Sequence, residues 1–286
     1  MRTIAIVVLY NDNTIEVANN ISMIAKQVDK VCLVDNSDVA YPERFSRIAN
    51  AIYMPQYQNK GIAAAQNIGL RYAMEQEVDY VLFADPDTTI TSEAVSCLLS
   101  TFRKLASSSF HVGGIGSVAR NKATKQYYPL RSNLLQELPE LNVKEVTYTM
   151  NSISLYPIQL FQEVGMMDEA LFIDGVDSEF CWRATSLIDV KFFLDNSVVI
   201  EHMLGMGTKV IGGKERSITP PYRMYYQYRN YLWLARRSYT PKSWLRENGL
   251  RYLVKMIYYP LFKSPRLAYI KYILKGITDG IKQNNS

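Results

Sequence analysis

The chain has 286 residues, of which 48% are hydrophobic and 21% charged. This composition is typical of globular proteins and excludes disordered, collagen-like and coiled-coil chains. The three cysteines lack metal-ligand spacing, which argues against a disulfide scaffold or a cysteine-bound zinc and favours a reducing compartment, the cytoplasm. No apolar run reaches the roughly 18 residues that cross a bilayer, and the first residues predict a buried strand rather than a signal peptide.

The first hundred residues predict alternating strands and helices. Apolar runs over 3–9, 31–34 and 80–84 are typical of strands buried on both faces. Between them, helical apolar spacing over 14–27 and 62–76 predicts two helices. This order of elements indicates an α/β fold with a mostly parallel, Rossmann-like central sheet.

The middle of the chain has a less regular pattern. Residues 146–149 and 152–156 predict short strands of a smaller mixed sheet, and residues 192–200 predict another strand. The polar, glycine-containing segment 205–219 is predicted to be a loop, of a length typical of a functional lid.

The C-terminal part differs in charge from the rest. We expect a catalytic domain over 1–220 and a basic, aromatic-rich helical extension over 221–286, with breaks at Pro241, Pro260 and Pro265. The extension holds 13 Lys or Arg and two acids, whereas the preceding residues hold 19 basic and 25 acidic residues. It also contains 11 of the 21 tyrosines. Basic charge mixed with aromatics suits an anionic membrane surface or nucleic acid.

Polar residues follow three of the predicted strands. They are Asn11, Asp35 and the Asp85-Pro86-Asp87 turn. Ligands of open parallel sheets bind beyond the carboxyl ends of the strands, and neither a dinucleotide-binding nor a P-loop glycine motif is present. Asp85 and Asp87 could hold Mg²⁺ or Mn²⁺, although the same spacing is also typical of a turn or a helix cap.

Two further groups could take part in chemistry. Asp174, Asp177 and Glu179 lie within six residues; they suit either a functional cluster or the N-terminus of a helix that Asp177 caps. His202 closes the predicted strand 192–200, where an imidazole could bind a metal or a phosphate or be structural. His111 is expected at the surface.

Six segments occur in an order that resembles the inverting glycosyltransferases of family 2, which have the GT-A fold. Within that family the chain is most similar to bacterial rhamnosyltransferases of surface-polysaccharide assembly, which are related to galactofuranosyltransferases. The resemblance runs from residue 3 to about residue 237. The segments are IAIVVLYND with a following LVDNSD, NKGIAAAQNIGL, FADPDT, LFIDGVDSEFCWRA, EHMLG, and PPYRMYYQYRNYLWLARR.

The resemblance implies roles for individual residues on the donor side. Asn11 and Asp35 match positions that contact the nucleoside, and the segment with Asn59, Gly61 and Asn67 matches the wall around the base and sugar. Asp87 matches the metal-binding residue and Asp85 its neighbour toward the ribose. His202 matches a further metal ligand, for Mg²⁺ or Mn²⁺.

On the acceptor side, Asp177 matches the catalytic base. Relatives carry a pair of adjacent acids there, whereas this chain has Val176 before Asp177 and keeps its other acid at Asp174. Glu179 resembles a group that orients the acceptor. Further acceptor contacts are assigned to Asp174, Trp182 and Arg183.

The expected function is therefore inverting, metal-dependent transfer of a sugar from a nucleotide-diphosphate donor, with dTDP-L-rhamnose favoured. The expected acceptor is a glycan or a polyprenyl-linked glycan, which implies peripheral attachment to the anionic inner face of the cytoplasmic membrane. A UDP-dependent galactofuranosyl- or hexosyltransferase, a non-catalytic scaffold of a glycan-assembly complex, and a homo-oligomer remain alternatives. The acidic net charge of residues 1–220 and the lack of a recognised motif argue against nucleic acid.

Overall fold

The computed structural model describes residues 1–11, 14–122, 124–130, 133–202, 208–211, 214–217 and 219–282, with the backbone alone for residues 202, 208–211 and 214–217. The chain forms two compact units. The first comprises Met1–Phe172 and Val176–His202, and the second comprises Ile173–Gly175 with the described residues after His202. A domain boundary at residue 220 stays a prediction.

The first unit is built on a mixed sheet. Within the described residues its nine strands are β1 (Thr3–Leu9), β2 (Lys30–Asp35), β3 (Ala51–Pro55), β4 (Tyr80–Ala84), β5 (Val112–Asn121), β6 (Leu134–Leu138), β7 (Val143–Val146), β8 (Ile153–Pro157) and β9 (Lys191–His202). Their order is β3-β2-β1-β4-β8-β5-β9-β7-β6. Strands β1 to β4 are parallel, as are β5 and β9, while β8 lies antiparallel between β4 and β5.

Five α-helices of the first unit are described: α1 (Ile15–Ala25), α2 (Ile62–Glu75), α3 (Ala94–Ser107), α4 (Ile158–Val164) and α5 (Val176–Ile188). Thr14 caps α1, because its side chain accepts the backbone N–H of Val17 at 3.2 Å. The main core combines buried residues of the strands with those of α1 and α3. The α/β class and the predicted strands and helices of the first hundred residues are confirmed.

Two expectations differ from the structure. Of the two strands predicted for a smaller sheet, 152–156 corresponds to β8, whereas 146–149 is misplaced and overlaps β7 at Val146 alone. Both β7 and β8 belong to the same sheet as β1. The predicted loop 205–219 contains an antiparallel hairpin of β10 (Thr208–Ile211) and β11 (Lys214–Ser217); its role as a lid stays a prediction.

Besides the hairpin of β10 and β11, the second unit contains helices and a tyrosine-rich core. Its helices are α6 (Pro221–Leu234), α7 (Lys242–Phe262) and α8 (Arg266–Lys282). The predicted break at Pro260 is wrong: α7 continues through Pro260 and ends two residues later, at Phe262. Among the described residues, no helix is both long and apolar enough to cross a membrane. The buried core consists of Met224, Tyr228, Tyr259, Tyr269 and Ile273.

Candidate active site

The parallel strands bring their carboxyl ends to one edge of the sheet. In the register of β1 with its neighbours, Leu9 lies opposite Asp35 and Val7 lies opposite Ala84. The polar residues that follow these strands therefore leave the sheet at the same edge, as the sequence predicts.

Asp35 is held at that edge by its own turn and by a residue of β3. Its carboxylate accepts the backbone N–H of Ser37 at 2.9 Å and the hydroxyl of Tyr53. Burial and the hydrogen bond to Asp35 raise the pKa of Tyr53, so this hydroxyl stays a donor. The backbone N–H of Asn11 donates to the Ser37 hydroxyl at 2.7 Å. Asn11 and Asp35 are thus brought together through Ser37.

The turn with Asn59 and Gly61 is fixed by amide side chains. Asn59 Oδ1 accepts the Gly61 N–H at 2.9 Å, and Asn36 Nδ2 donates to the Gly61 carbonyl at 2.9 Å. Gly61 has φ +83°, and a Cβ there would lie 2.6 Å from the ring of Phe172. Both the backbone conformation and the close packing therefore require glycine.

Asn67 makes contacts that attach α2 to the segment after α4. Its Nδ2 donates to the Met167 carbonyl and to a Glu169 carboxylate oxygen, both at 2.9 Å, while its Oδ1 accepts the Met167 N–H at 2.9 Å. The side chain is buried. Its nucleotide-binding role stays a prediction beside this structural one.

The turn after β4 presents oxygen donors. Asp85 accepts the Ser152 hydroxyl at 2.8 Å and donates its N–H to the Ser152 carbonyl at 3.1 Å, while Asp87 is exposed. Hard carboxylate oxygens are the donors that Mg²⁺ and Mn²⁺ prefer, so this pair fits such a cation. No cluster of three metal-binding side chains occurs within the described residues. His202 ends β9, and its side chain lies outside them.

Asp177 is the second residue of α5, and Asn151 binds both of its carboxylate oxygens. Asn151 donates its backbone N–H to Asp177 Oδ2 at 3.2 Å and its Nδ2 to Oδ1 at 2.9 Å. The next residue, Ser152, binds Asp85. Two successive residues before β8 therefore hold the predicted base and a predicted metal ligand.

The remaining acceptor-side residues of α5 are in the interior. Glu179 is 1% exposed and forms an ion pair with Arg183 at 2.9 Å. Arg183 also donates to the carbonyls of Val164 and Met166 at 2.6 and 2.7 Å, which ties α5 to the end of α4. Trp182 is buried, with its ring against Tyr148. Acceptor binding by Glu179, Trp182 and Arg183 stays a prediction.

Asp174 belongs to the second unit, where it pairs with α6. Arg223 donates from Nε and Nη2 to its carboxylate at 2.8 to 3.1 Å. Asn230 Nδ2 donates to the carbonyls of Ile173 and Asp174 at 2.7 and 2.8 Å. These contacts anchor the 173–175 segment, and an acceptor role for Asp174 stays a prediction.

Sequence reasoning missed several residues that organise the site. Tyr53 lies in a strand that was not predicted, and Asn151 and Ser152 precede β8 without belonging to a recognised motif. The only signal for this pair was two polar residues directly before an apolar run.

The mixed α/β sheet of the first unit has the GT-A fold of glycosyltransferases. The chain belongs to glycosyl transferase family 2, whose sequence model matches residues 4–157. It is 28% identical over 290 residues to the dTDP-rhamnosyl transferase RfbF of Shigella flexneri, an alignment that covers 97% of this chain and 95% of that protein. The predicted family, fold and enzyme class are confirmed.

Two solved structures show the same fold at low sequence identity. S. aureus TarS 1-349 in complex with UDP-GlcNAc has a TM-score of 0.59 and 15% identity, over 98% of this chain and 81% of that one. GalNAc-T7 with UDP, GalNAc and Mn²⁺ has a TM-score of 0.54 and 12% identity, over 91% of this chain and 57% of that one.

Proposed function

We propose that this glycosyltransferase moves L-rhamnose from dTDP-L-rhamnose to a glycan or polyprenyl-linked glycan, with inversion at the anomeric carbon. The observation that carries the proposal is that Asn151 donates two hydrogen bonds to Asp177 while the next residue, Ser152, donates one to Asp85. These contacts connect a carboxylate suited to act as a base to the edge of the sheet where the proposed nucleotide-binding residues lie. The similarity to a dTDP-rhamnosyl transferase over nearly the whole chain supports this donor.

In the proposed reaction Asp177 accepts the proton of the acceptor hydroxyl while that oxygen attacks the anomeric carbon in line with the leaving diphosphate. General-base catalysis of this kind contributes roughly 10²- to 10⁴-fold. A single displacement with one base inverts the configuration, whereas retention by double displacement needs a second, nucleophilic carboxylate.

The donor is held at the carboxyl ends of β1, β2 and β4. Asp35 and Asn11 are the proposed nucleoside contacts, and the turn with Asn59 and Gly61 is the proposed wall beside them. Asp87 and Asp85, with His202, would hold a Mg²⁺ or Mn²⁺ ion. When bound, such an ion offsets the negative charge that develops on the leaving diphosphate.

A second candidate is a UDP-sugar transferase of galactofuranosyl or hexosyl type. The UDP-GlcNAc complex of TarS favours it, because that protein has the same fold. A non-catalytic scaffold is less favoured, because the carboxylates of the predicted site are all present.

A panel of dTDP- and UDP-sugars tests the proposal. Wild type, Asp177→Asn and the control Asp189→Asn are assayed for transfer and for nucleotide binding, with Mn²⁺ or with EDTA. Asp189 is an exposed residue just beyond the other end of α5. We expect metal-dependent transfer from dTDP-rhamnose by wild type and Asp189→Asn, and nucleotide binding without transfer by Asp177→Asn. Near-native turnover of Asp177→Asn would sink the base assignment.

The proposal extends to an anionic membrane surface as the place where the acceptor is met. On α7, five apolar side chains spaced at i, i+3, i+4, i+7 and i+11 share one face and are each more than half exposed. They are Leu250, Leu253, Val254, Ile257 and Leu261. On α8 a similar stripe of exposed residues consists of Leu267, Ile270, Leu274 and Ile281.

The charge of residues 221–286 indicates what binds to these two apolar stripes. With 13 basic and two acidic residues over 221–286, the surface is complementary to anionic lipid headgroups, and apolar side chains between basic ones are typical of interfacial helices. A second copy of this chain would carry the same positive charge and is the less favoured occupant.

Vesicle binding tests the membrane proposal in the full-length chain. We expect Leu253→Gln combined with Ile257→Gln to weaken binding to phosphatidylglycerol-containing vesicles at least about tenfold. The control Leu187→Gln changes an exposed leucine of α5 and leaves binding unchanged. Equal vesicle binding by all forms, or a change of oligomeric state alone, would contradict the membrane proposal.

A further inference from the structure

Asn151 is placed so that it controls the geometry of the Asp177 carboxylate. It contributes two donors, a backbone N–H and a side-chain amide, and each binds a different carboxylate oxygen. Two bonds on different oxygens fix the plane of the carboxylate as well as its position.

The orientation of the Asn151 amide is set by a buried tyrosine. The Tyr156 hydroxyl donates to Asn151 Oδ1 at 2.8 Å, so the NH₂ group is the end that faces Asp177. Thr149 Oγ1 lies 2.7 Å from the same tyrosine oxygen. Because the tyrosine proton is directed to Asn151, the Thr149 hydroxyl is the donor in this pair. Every bond in the chain from Thr149 to Asp177 therefore donates toward the carboxylate.

Packing keeps Tyr156 in this position. Its ring lies against Gly114, where a Cβ would come within 2.5 Å of a ring carbon, and it stacks edge-on with Phe161 and Phe180. Burial raises the pKa of Tyr156 well above its ordinary value, so the hydroxyl stays protonated. The tyrosine is thus a permanent donor on a rigid support.

We infer that Thr149, Tyr156 and Asn151 form a positioning chain that orients the Asp177 carboxylate for its role as base. The inference rests on the proposed function and adds residues to which no catalytic part is otherwise assigned. Hydrogen bonds to the charged form of a carboxylate favour that form, and successive donors strengthen one another. The residue after Asn151, Ser152, donates to Asp85 in turn.

Two other titratable groups of α5 are either neutral or engaged by another residue. Burial raises the pKa of Cys181, one turn further along α5, to about 12, so the thiol is neutral. Glu179 is engaged by Arg183 on the side of α4. Tyr156 acts through Asn151, to which it donates. The two donors of Asn151 are therefore the groups that a test must change.

Three variants test the positioning chain: Asn151→Ala, Tyr156→Phe and the control Asn50→Ala. Asn50 is likewise an amide donor, but it lies just before β3 and its Nδ2 donates to the backbone carbonyls of Ala25 and Val28. The measurements are the pH dependence of kcat, the Kd for the nucleotide, and the carboxyl titration of Asp177 followed by ¹³C NMR and assigned with Asp177→Asn.

We expect Asn151→Ala to lower kcat roughly 10- to 100-fold and to raise the pKa of Asp177 by about one unit, with the nucleotide Kd unchanged. Tyr156→Phe keeps the ring and moves both quantities in the same direction by less, and Asn50→Ala moves neither. An unshifted titration of Asp177 in folded Asn151→Ala or Tyr156→Phe would overturn the inference. Wild-type kcat in Asp177→Asn would instead overturn the proposed base, and the titration distinguishes the two failures because it needs no turnover.

Discussion

The buried ion pair of α5 gives the sharpest prediction about stability. Changing Glu179 to Gln keeps the shape of the side chain but removes its charge and places an amide where Arg183 donates. Arg183 would then hold a charge at 18% exposure without its carboxylate.

The magnitude follows from what Arg183 retains. Removing one member of a buried ion pair costs about 3–5 kcal/mol. Because Arg183 keeps its bonds to the Val164 and Met166 carbonyls, we place Glu179→Gln at the lower end, about 3 kcal/mol. For a unit of this size the loss corresponds to a fall in Tm of roughly 6–12 °C.

Thermal and urea denaturation of Glu179→Gln and of the exposed control Glu163→Gln check this value. The control is expected to stay within about 0.5 kcal/mol of wild type. A Glu179→Gln protein as stable as the control, with a raised KM for the acceptor, would refute the structural role of the pair and favour the acceptor contact that the sequence suggests.

Two further predictions concern single residues. Gly61→Ala forces a side chain into a backbone with φ +83° and against Phe172, so we expect a loss of about 1–3 kcal/mol in urea unfolding; a loss below about 0.5 kcal/mol would contradict the assigned turn. Burial lowers the pKa of Lys255 from 10.5 to about 8, so the unfolded chain binds more protons between those values and wild-type stability rises with pH across that window. Lys255→Met lacks this slope. We expect it to be about 1–3 kcal/mol more stable than wild type at pH 7 and to lose that advantage by pH 10.5. Parallel pH profiles of the two proteins would contradict the burial of the charge.

Local patterns predicted the strands that are buried on both faces. Residues 3–9 and 80–84 form β1 and β4 with the predicted bounds, and the polar residues after them lie at the predicted edge. β5 was missed because the glycines of its Gly113-Gly114-Ile115-Gly116 segment usually indicate a turn. In the structure Gly114 instead makes room for the ring of Tyr156, a contact between strands that sequence spacing does not reveal.

The residues of the candidate site could be predicted from the sequence, but the contacts between them could not. Asp177 and Asn151 are 26 positions apart, and only the path through β8, α4 and the start of α5 brings them together. For the C-terminal helices, the sequence indicated tyrosines at a membrane interface. Tyr259 and Tyr269 are instead buried in the helical core, where their rings contact each other, because helix spacing decides which side chains face the core.

The central claim is that one carboxylate, Asp177, drives an in-line transfer from a nucleotide sugar. The anomeric configuration of the first product, determined by proton NMR during transfer from dTDP-rhamnose, tests it most directly. We expect the configuration to be inverted relative to the donor, with no product from Asp177→Asn. A product with the donor's configuration would contradict the account, since retention by double displacement requires a second carboxylate acting as nucleophile.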